Sequence, residues 1–426
     1  MRILIATDSF PPNCGGSGWS TYELAQGLRR AGHAITVVQA RPGRPHAARE
    51  YDGFAVDEFG GRAPSVPFLR NYVKNERLYR RLASHLGAII RRDAIDVVHG
   101  QHLLTAPPSV AAARATGAAA VCTVRDYWPV CYWSDLIHDF SAATLCPACS
   151  ARMMTRCLRP RAGALWPLAL PAIPYMRANL AMKQAWLAAA DAVIAVSSAI
   201  AADLQSRAAG AASTRIVVIP NPVDLEAIRE AASAGPAPLE GPYAVFVGKL
   251  APNKGVMKLA DAVERADLRW PLVVVGDGPE RRALEQQFAR RGRDVRFTGW
   301  VPRAEALRWL GRASVLVFPS HGPESLSRVL LEAGALGVPI AAMDTGGTRD
   351  IVIPEVTGLL SGSADALGAD LARLVTDRAL AATLASAARA HVERAFSSAR
   401  VVGRVEDLYR EAVAAAASRR RRVTHA

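Results

Sequence analysis

Short apolar runs recur along the chain, separated by stretches of helical length. Residues 3–6 form the first run, and residues 11–17 make a turn around Gly15 and Gly16. From residue 19 to 31 the apolar side chains Tyr22, Leu24 and Leu28 return with helical spacing. Gly32 closes that stretch, as a glycine just past a helix end does. A strand completes the first 40 residues, and further strands are predicted at 96–99, 119–124, 193–196 and 216–219. The rhythm restarts after the Ala/Gly/Pro stretch 231–238, read as a linker, with strands at 243–247, 272–275, 295–298, 315–318 and 340–343. These runs are apolar on both faces, as buried parallel strands must be. The pattern therefore predicts two doubly wound α/β domains in series, with ligands at the carboxyl ends of the strands.

At 426 residues the chain exceeds one ordinary core, in keeping with two domains. Asp8 comes too early for the apolar core of a signal peptide, so a cytoplasmic protein is expected. The apolar stretch 163–175 is interrupted by Pro167, Pro171 and Pro174 and is too short to span a bilayer. The 52 Lys and Arg outnumber the 38 Asp and Glu, for a net charge of +14. That excess suits polyanionic surroundings, or is simply a basic background. No recognition motif accompanies it, so nucleic acid is not an expected partner.

Two loops carry the candidate chemistry. Lys249 and Lys254 follow the first strand of the second half, where two ammonium groups suit a diphosphate; alone, they read more readily as a solvated pair. After the strand at 315–318, Glu324 leads towards a helix and Glu332 stands eight residues later, near the same face. A carboxylate at a helix start can simply cap it. Glu332, however, interrupts an apolar run and needs a polar partner, which sugar hydroxyls would supply. In the first half, Gly16 lets the backbone approach a ligand closely.

Taken in order, Gly248-Lys249, Lys254-Gly255, Gly276-Asp277-Gly278-Pro279, Phe297-Thr298-Gly299, the Glu324 and Glu332 pair, Gly337-Val338-Pro339, Gly346-Gly347 and Thr357-Gly358-Leu359-Leu360 resemble the family 4 retaining glycosyltransferases (glycosyl transferases group 1) of the GT-B fold. The resemblance implies two Rossmann-like domains facing a cleft. Residues 1–222 would be the acceptor domain with a four-cysteine insertion at about 127–160, and 223–390 the donor domain. Residues 391–426 would supply a helix crossing back and a basic tail. It implies a hexosyl group moved from a nucleotide diphosphate sugar to a glycan or polyprenyl-linked acceptor, in cell-envelope or exopolysaccharide synthesis. Lys249 and Lys254 would neutralise the diphosphate, Glu332 would bind ribose, and Glu324 would lie at the sugar. Gly16, Ser325 and Leu326 would complete the donor site. Ser327 stands where the family has glycine, which leaves the donor sugar open. No Asp-x-Asp metal motif is present, so no cofactor is expected for catalysis.

The acceptor motifs depart from the family. His99 and His102 occupy a His-x-His-like site with the second histidine displaced, and either is a candidate catalytic group. Arg125-Asp126 stands where histidine-aspartate is usual. Arginine is no base, but it binds phosphate bidentately, which points to an anionic acceptor. A non-catalytic scaffold and a sugar-nucleotide epimerase are the alternative functions.

Cys131, Cys146, Cys149 and Cys157 fall within 27 residues and include a Cys-x-x-Cys, so they read either as a structural zinc set or as free thiols. Beside them Arg152, Arg156, Arg159 and Arg161 precede Trp166, Leu168 and Leu170, which suits peripheral contact with an anionic inner membrane face. The tail Arg419–Arg422 adds charge or is merely solvated.

Overall fold

The computed structural model describes residues 1–62, 64, 72–139, 144–211 and 214–424. In the first half the strands are β1 (Arg2–Thr7), β2 (Ala34–Pro42), β3 (Ala47–Tyr51), β4 (Phe54–Gly61), β5 (Val97–Gly100) and β6 (Ala119–Val124). A two-stranded hairpin, β7 (Ile137–Asp139) and β8 (Thr144–Leu145), lies in the cysteine-bearing insertion, and β9 (Ala192–Ala195) and β10 (Ile216–Val218) follow. Their order is β10-β9-β6-β5-β1-β2-β4-β3, with β7 and β8 apart, and only β3 in the large sheet runs antiparallel. The second half contributes β11 (Ala244–Val247), β12 (Leu272–Val275), β13 (Val295–Gly299), β14 (Val315–Phe318), β15 (Ile340–Met343) and β16 (Leu359–Ser361), ordered β13-β12-β11-β14-β15-β16 and parallel throughout.

Strand β6 falls on its expected residues, as do β12, β14 and β15, because each is a wholly buried apolar run. The β3–β4 hairpin was not foreseen from the apolar runs. Tyr51 and Phe54 pair across Asp52 and Gly53, which have φ of 49° and 71°. Such a two-residue turn matches the strand twist, and Asp-Gly is its sequence signal.

The first helix, Gly16–Arg30, starts three residues before the expected stretch, with Gly15 as its N-cap. It ends where foreseen: Gly32 has φ 85°, its N–H donates to Arg29 O, and the His33 N–H donates to Leu28 O. The expected linker needs correction. Residues 231–233 belong to helix Leu225–Ser233, which packs on helices Arg303–Gly311 and Arg328–Leu336 of the second half.

The last helix, Ser398–Thr424, packs back on the first half. Val401, Val405, Leu408 and Tyr409 join Ile3, Ile5, Leu24 and Leu28 in one core. The basic tail is thus helical, and Arg419 pairs with Asp191. Among the described residues no helix is long and apolar enough to cross a membrane.

Strand order fixes where a ligand can sit. In the first sheet β1 lies between β5 and β2; in the second, β11 lies between β14 and β12. Successive crossovers leave in opposite directions there, opening a crevice at the carboxyl ends. The loops after β1 and β11 are the ones that hold Gly16, Lys249 and Lys254.

Candidate active site

A cavity of about 680 Å³ lies between the two sheets. Its walls include Gly16, Arg125 and Asn221 from the first half and Lys249, Lys254, Glu324, Ser325, Leu326 and Glu332 from the second. Every expected donor residue is therefore on one cavity, along with Arg125; His99, His102 and Asp126 are not among its walls.

Lys249 is exposed, at the end of β11. Lys254 closes the next turn, where Gly255 has φ +63° and a Cβ would stand 1.9 Å from Pro319 O. Only glycine allows that approach, which sets Lys254 against the loop after β14. Its Nζ donates to Glu324 Oε1 at 2.5 Å, and Ser320 Oγ donates to the same oxygen at 2.5 Å. Both bonds fall on Oε1, which leaves Oε2 for a ligand. Gly346, at φ +50°, buttresses this loop: a Cβ there would meet Glu324 O at 2.1 Å.

Glu324 precedes helix Arg328–Leu336 rather than lying on it, so the shared helix face expected of the two glutamates does not exist. The loop and the helix bring them to one cavity by different routes. Ser327, at φ −72° and ψ 120°, is the N-cap, in a conformation any residue adopts. Its replacement of glycine therefore costs nothing in the backbone.

Glu332 is held by two arginines absent from the sequence expectation. Arg303 Nη2 donates to its Oε1 at 2.9 Å and Arg328 Nε at 3.1 Å. Both arginines also bind Glu23 of the first helix, Arg303 at 3.0 Å. Burial opposes the charge on Arg328, but the carboxylates of Glu23 and Glu332 outweigh it and raise its pKa above the ordinary arginine value. Arg303 further lies 4.7 Å over the Trp19 ring. The network spans the cleft, and Gly16 fits beneath it: a Cβ there would be 3.2 Å from Arg328 Cβ. Here too the bonds to Glu332 fall on Oε1, so Oε2 remains for a ligand. No local signal marks Glu23, Arg303 and Arg328 as partners, since they meet across roughly 300 positions of chain.

The acceptor side differs from expectation. His99 is wholly buried; Nδ1 lies 2.5 Å from Tyr409 Oη and Nε2 2.6 Å from Thr123 Oγ1. Burial, and then Arg125, push its pKa down to about 3. It is a neutral core residue tying down the last helix, and the expectation of a catalytic role is corrected accordingly. His102 is also buried and pushed down to about 3 by the same causes. Its Nδ1 lies 3.1 Å from Thr7 Oγ1 and 3.3 Å from the Asp8 amide, and among the described residues its Nε2 meets no hydrogen-bond partner.

Arg125 is 8 % exposed. Its Nε and Nη2 donate to Gln101 Oε1 at 3.2 and 2.6 Å, and its Nη1 donates to Asn221 Oδ1. Both partners are neutral, and among the described residues no carboxylate forms an ion pair with it. Burial and Arg328 lower its pKa to about 9. Asp126 is half-buried and turned to its own loop, where Oδ1 accepts from the Trp128 amide at 2.8 Å. Burial lifts its carboxyl to about 6.

The thiol of Cys146 is directed at Ala148 O, 3.2 Å away, and that of Cys131 at Asp135 Oδ1, 3.9 Å away. A hydrogen bond from Cys149 pulls Cys131 down to about 6. Cys131, Cys146, Cys149 and Cys157 lie close enough to influence one another, and among the described residues no group of three His, Cys, Asp or Glu side chains is arranged to hold a metal ion.

Known proteins bear on this geometry. Residues 14–227 match the family described as Glycosyltransferase Family 4, and residues 241–377 match Glycosyl transferases group 1. A GDP-mannose-dependent alpha-mannosyltransferase of Mycolicibacterium smegmatis is 29% identical over 402 residues, covering 89% of this chain and 90% of that one. A D-inositol 3-phosphate glycosyltransferase of Xylanimonas cellulosilytica is 32% identical over 260 residues, 56% of this chain and 61% of its own. Among solved structures, Anabaena HepE in complex with UDP superposes with a TM-score of 0.66 at 19% identity, over 96% of this chain and 99% of that one. Sucrose-phosphate synthase from Thermosynechococcus elongatus does so at 0.68 and 22%, over 97% and 100%. Two parallel Rossmann-like sheets facing a cleft are thus the GT-B fold, and the chain belongs to glycosyltransferase family 4, as a hexosyltransferase that uses a nucleotide-sugar donor.

Proposed function

We propose that the enzyme moves mannose from GDP-mannose, with retention, onto an anionic lipid-linked acceptor of the cell envelope. The observation that carries this reading is the shared cavity, where two lysines and two glutamates from the second sheet face a buried Arg125 from the first. Mannose and guanosine are put first because the mycolicibacterial relative, matched over nine-tenths of its length, is named for that donor.

In this reading Lys249 and Lys254 offset the leaving diphosphate, helped by the backbone at Gly16. Glu332 Oε2 takes the ribose hydroxyls, and Glu324 Oε2 with the Ser325-Leu326 backbone orients the sugar. The arginine and lysine bonds on each Oε1 fix both carboxylates beforehand, so little order is lost when the donor binds. Neither histidine lines the cavity, so the acceptor hydroxyl passes its proton to a phosphate oxygen of the departing diphosphate. The anomeric carbon–oxygen bond to phosphate breaks as the new glycosidic bond forms on the same face. Arg125, which has no carboxylate partner among the described residues, binds the acceptor's phosphate with its planar fork.

Calorimetric titration with GDP, UDP and ADP tests the donor assignment, using the native protein and a Lys254→Ala, Glu332→Ala double variant. GDP binding that the variant loses is the expected result. Binding of UDP alone would overturn the guanosine assignment and leave the transferase. If no nucleotide binds the folded protein, the non-catalytic scaffold reading replaces this one.

A further inference from the structure

From residue 140 to residue 190 the chain carries no aspartate or glutamate, while it carries five arginines and a lysine. This stretch folds largely as a helical hairpin: helix Ala151–Ala162, a turn at Gly163–Leu165, the short helix Trp166–Ala169, and helix Ala172–Ala188. Helix Ala151–Ala162 buries Met153, Met154, Cys157 and Leu158, and turns Arg152, Arg156 and Arg159 to solvent. Among the described residues those three arginines have no carboxylate partner; Arg161, by contrast, pairs with Asp135 at 2.5 Å.

The tip between the helices is apolar. Leu165 is 67 % exposed and Leu168 78 %, the latter the most exposed of the large hydrophobic side chains described. Trp166 lies beside them, half-buried, with the Arg159 guanidinium 5.6 Å from its ring. Two bare leucines a turn apart, ringed by unpaired arginines and free of acid, are costly in water and suited to an anionic bilayer. Leucine enters the acyl boundary, tryptophan sits at headgroup depth, and guanidinium groups meet lipid phosphate. A protein partner of ordinary composition would not demand the absence of every acid across the hairpin.

We infer that the tip at Leu165 and Leu168, with Arg152, Arg156 and Arg159, docks the enzyme on an anionic lipid surface. The hairpin is braced to the acceptor side of the cleft, since Gln184 Nε2 donates to Pro129 O at 2.8 Å, four residues past Arg125. Docking there brings the acceptor side of the cavity towards headgroups. This surface goes beyond the assignment of donor and acceptor and does not depend on which nucleotide binds.

Co-sedimentation with vesicles of phosphatidylcholine alone, and of phosphatidylcholine with one quarter phosphatidylglycerol, tests it. The native protein is expected to pellet only with the anionic vesicles, and to be released at 0.5 M salt by screening (~4 Å Debye length). Leu165→Ser with Leu168→Ser should weaken partitioning about tenfold or more, and Arg152→Gln, Arg156→Gln, Arg159→Gln about a hundredfold, at roughly fivefold per arginine. Both variants should keep the native melting temperature and nucleotide affinity, so loss of lipid binding is separable from loss of the donor site. The inference is overturned if the native protein ignores anionic vesicles, or if both variants bind them as it does. Concentration-dependent dimerisation lost in the leucine variant, without lipid binding, would make the tip a contact between two copies instead.

Discussion

The two walls of the cleft handle charge in opposite ways. On the donor side each carboxylate is matched on one oxygen: Glu324 by Lys254 and Ser320, Glu332 by Arg303 and Arg328. On the acceptor side Arg125 rests on two amides, and both histidines are neutral in the core. The donor wall is thus organised before its ligand arrives, whereas the acceptor wall keeps an uncompensated cation that a ligand must complete. A wall of the first kind fixes geometry; one of the second kind selects for charge.

The largest expected effect comes from unbalancing the donor wall. Lys254→Ala frees Glu324 and, in the proposed reading, removes a cation from the diphosphate, so kcat/KM should fall about 100- to 1,000-fold. Steady-state kinetics check this, and a loss under tenfold would place the leaving-group contacts elsewhere. Next is the response of the acceptor wall to acid. His99 and His102 have folded pKa values near 3, well below the ordinary 6.5. The folded state then binds fewer protons than the unfolded one, so their contribution is full above pH 6.5 and is lost as pH falls towards 3. Melting temperature should drop steeply between pH 6.5 and 4, by several kcal/mol in stability at ~1.4 kcal/mol per pH unit for each group. A flat profile across that range would rule the buried neutral pair out.

Arg125→Met sharpens the contrast most directly. Acceptor KM should rise about tenfold or more with donor affinity unchanged. The melting temperature should hold or rise, because a buried charge without a carboxylate is removed. A lower melting temperature with unchanged KM would make Arg125 structural. The smallest effect is expected at Trp300, which is 67 % exposed at the cavity rim. Trp300→Ala should weaken nucleotide binding by a few-fold, through lost aromatic contact alone.

Much of the fold was legible because buried parallel strands leave continuous apolar runs, as at β6, β12, β14 and β15. The β3–β4 hairpin left none: its residues alternate and carry Arg49, Glu50, Asp57 and Glu58, since it sits at a sheet edge. The Asp52-Gly53 pair was the signal that could have found it. Lys249, Lys254, Glu324 and Glu332 were legible as donor candidates because each sits in a loop that follows a strand or on the helix after it. His99 was not. In β5 it shares the face of Val97, and what covers that face, Tyr409, comes 310 residues later. The same distance hid the Glu23 partnership with Arg303 and Arg328.

That bond between His99 and Tyr409 also sets an order of events in the living chain. The first half's core takes Leu408, Tyr409, Ala412 and Ala416 as members, beside Ile3 and Ile5. During synthesis, the sheet around His99 therefore waits for a helix made about 310 residues later. Until that helix leaves the ribosome, part of the apolar face of β1 and β5 stays open, and His99 lacks Tyr409 on Nδ1. A truncation that removes this helix but spares every residue of the cavity would still leave the first half's core unfinished.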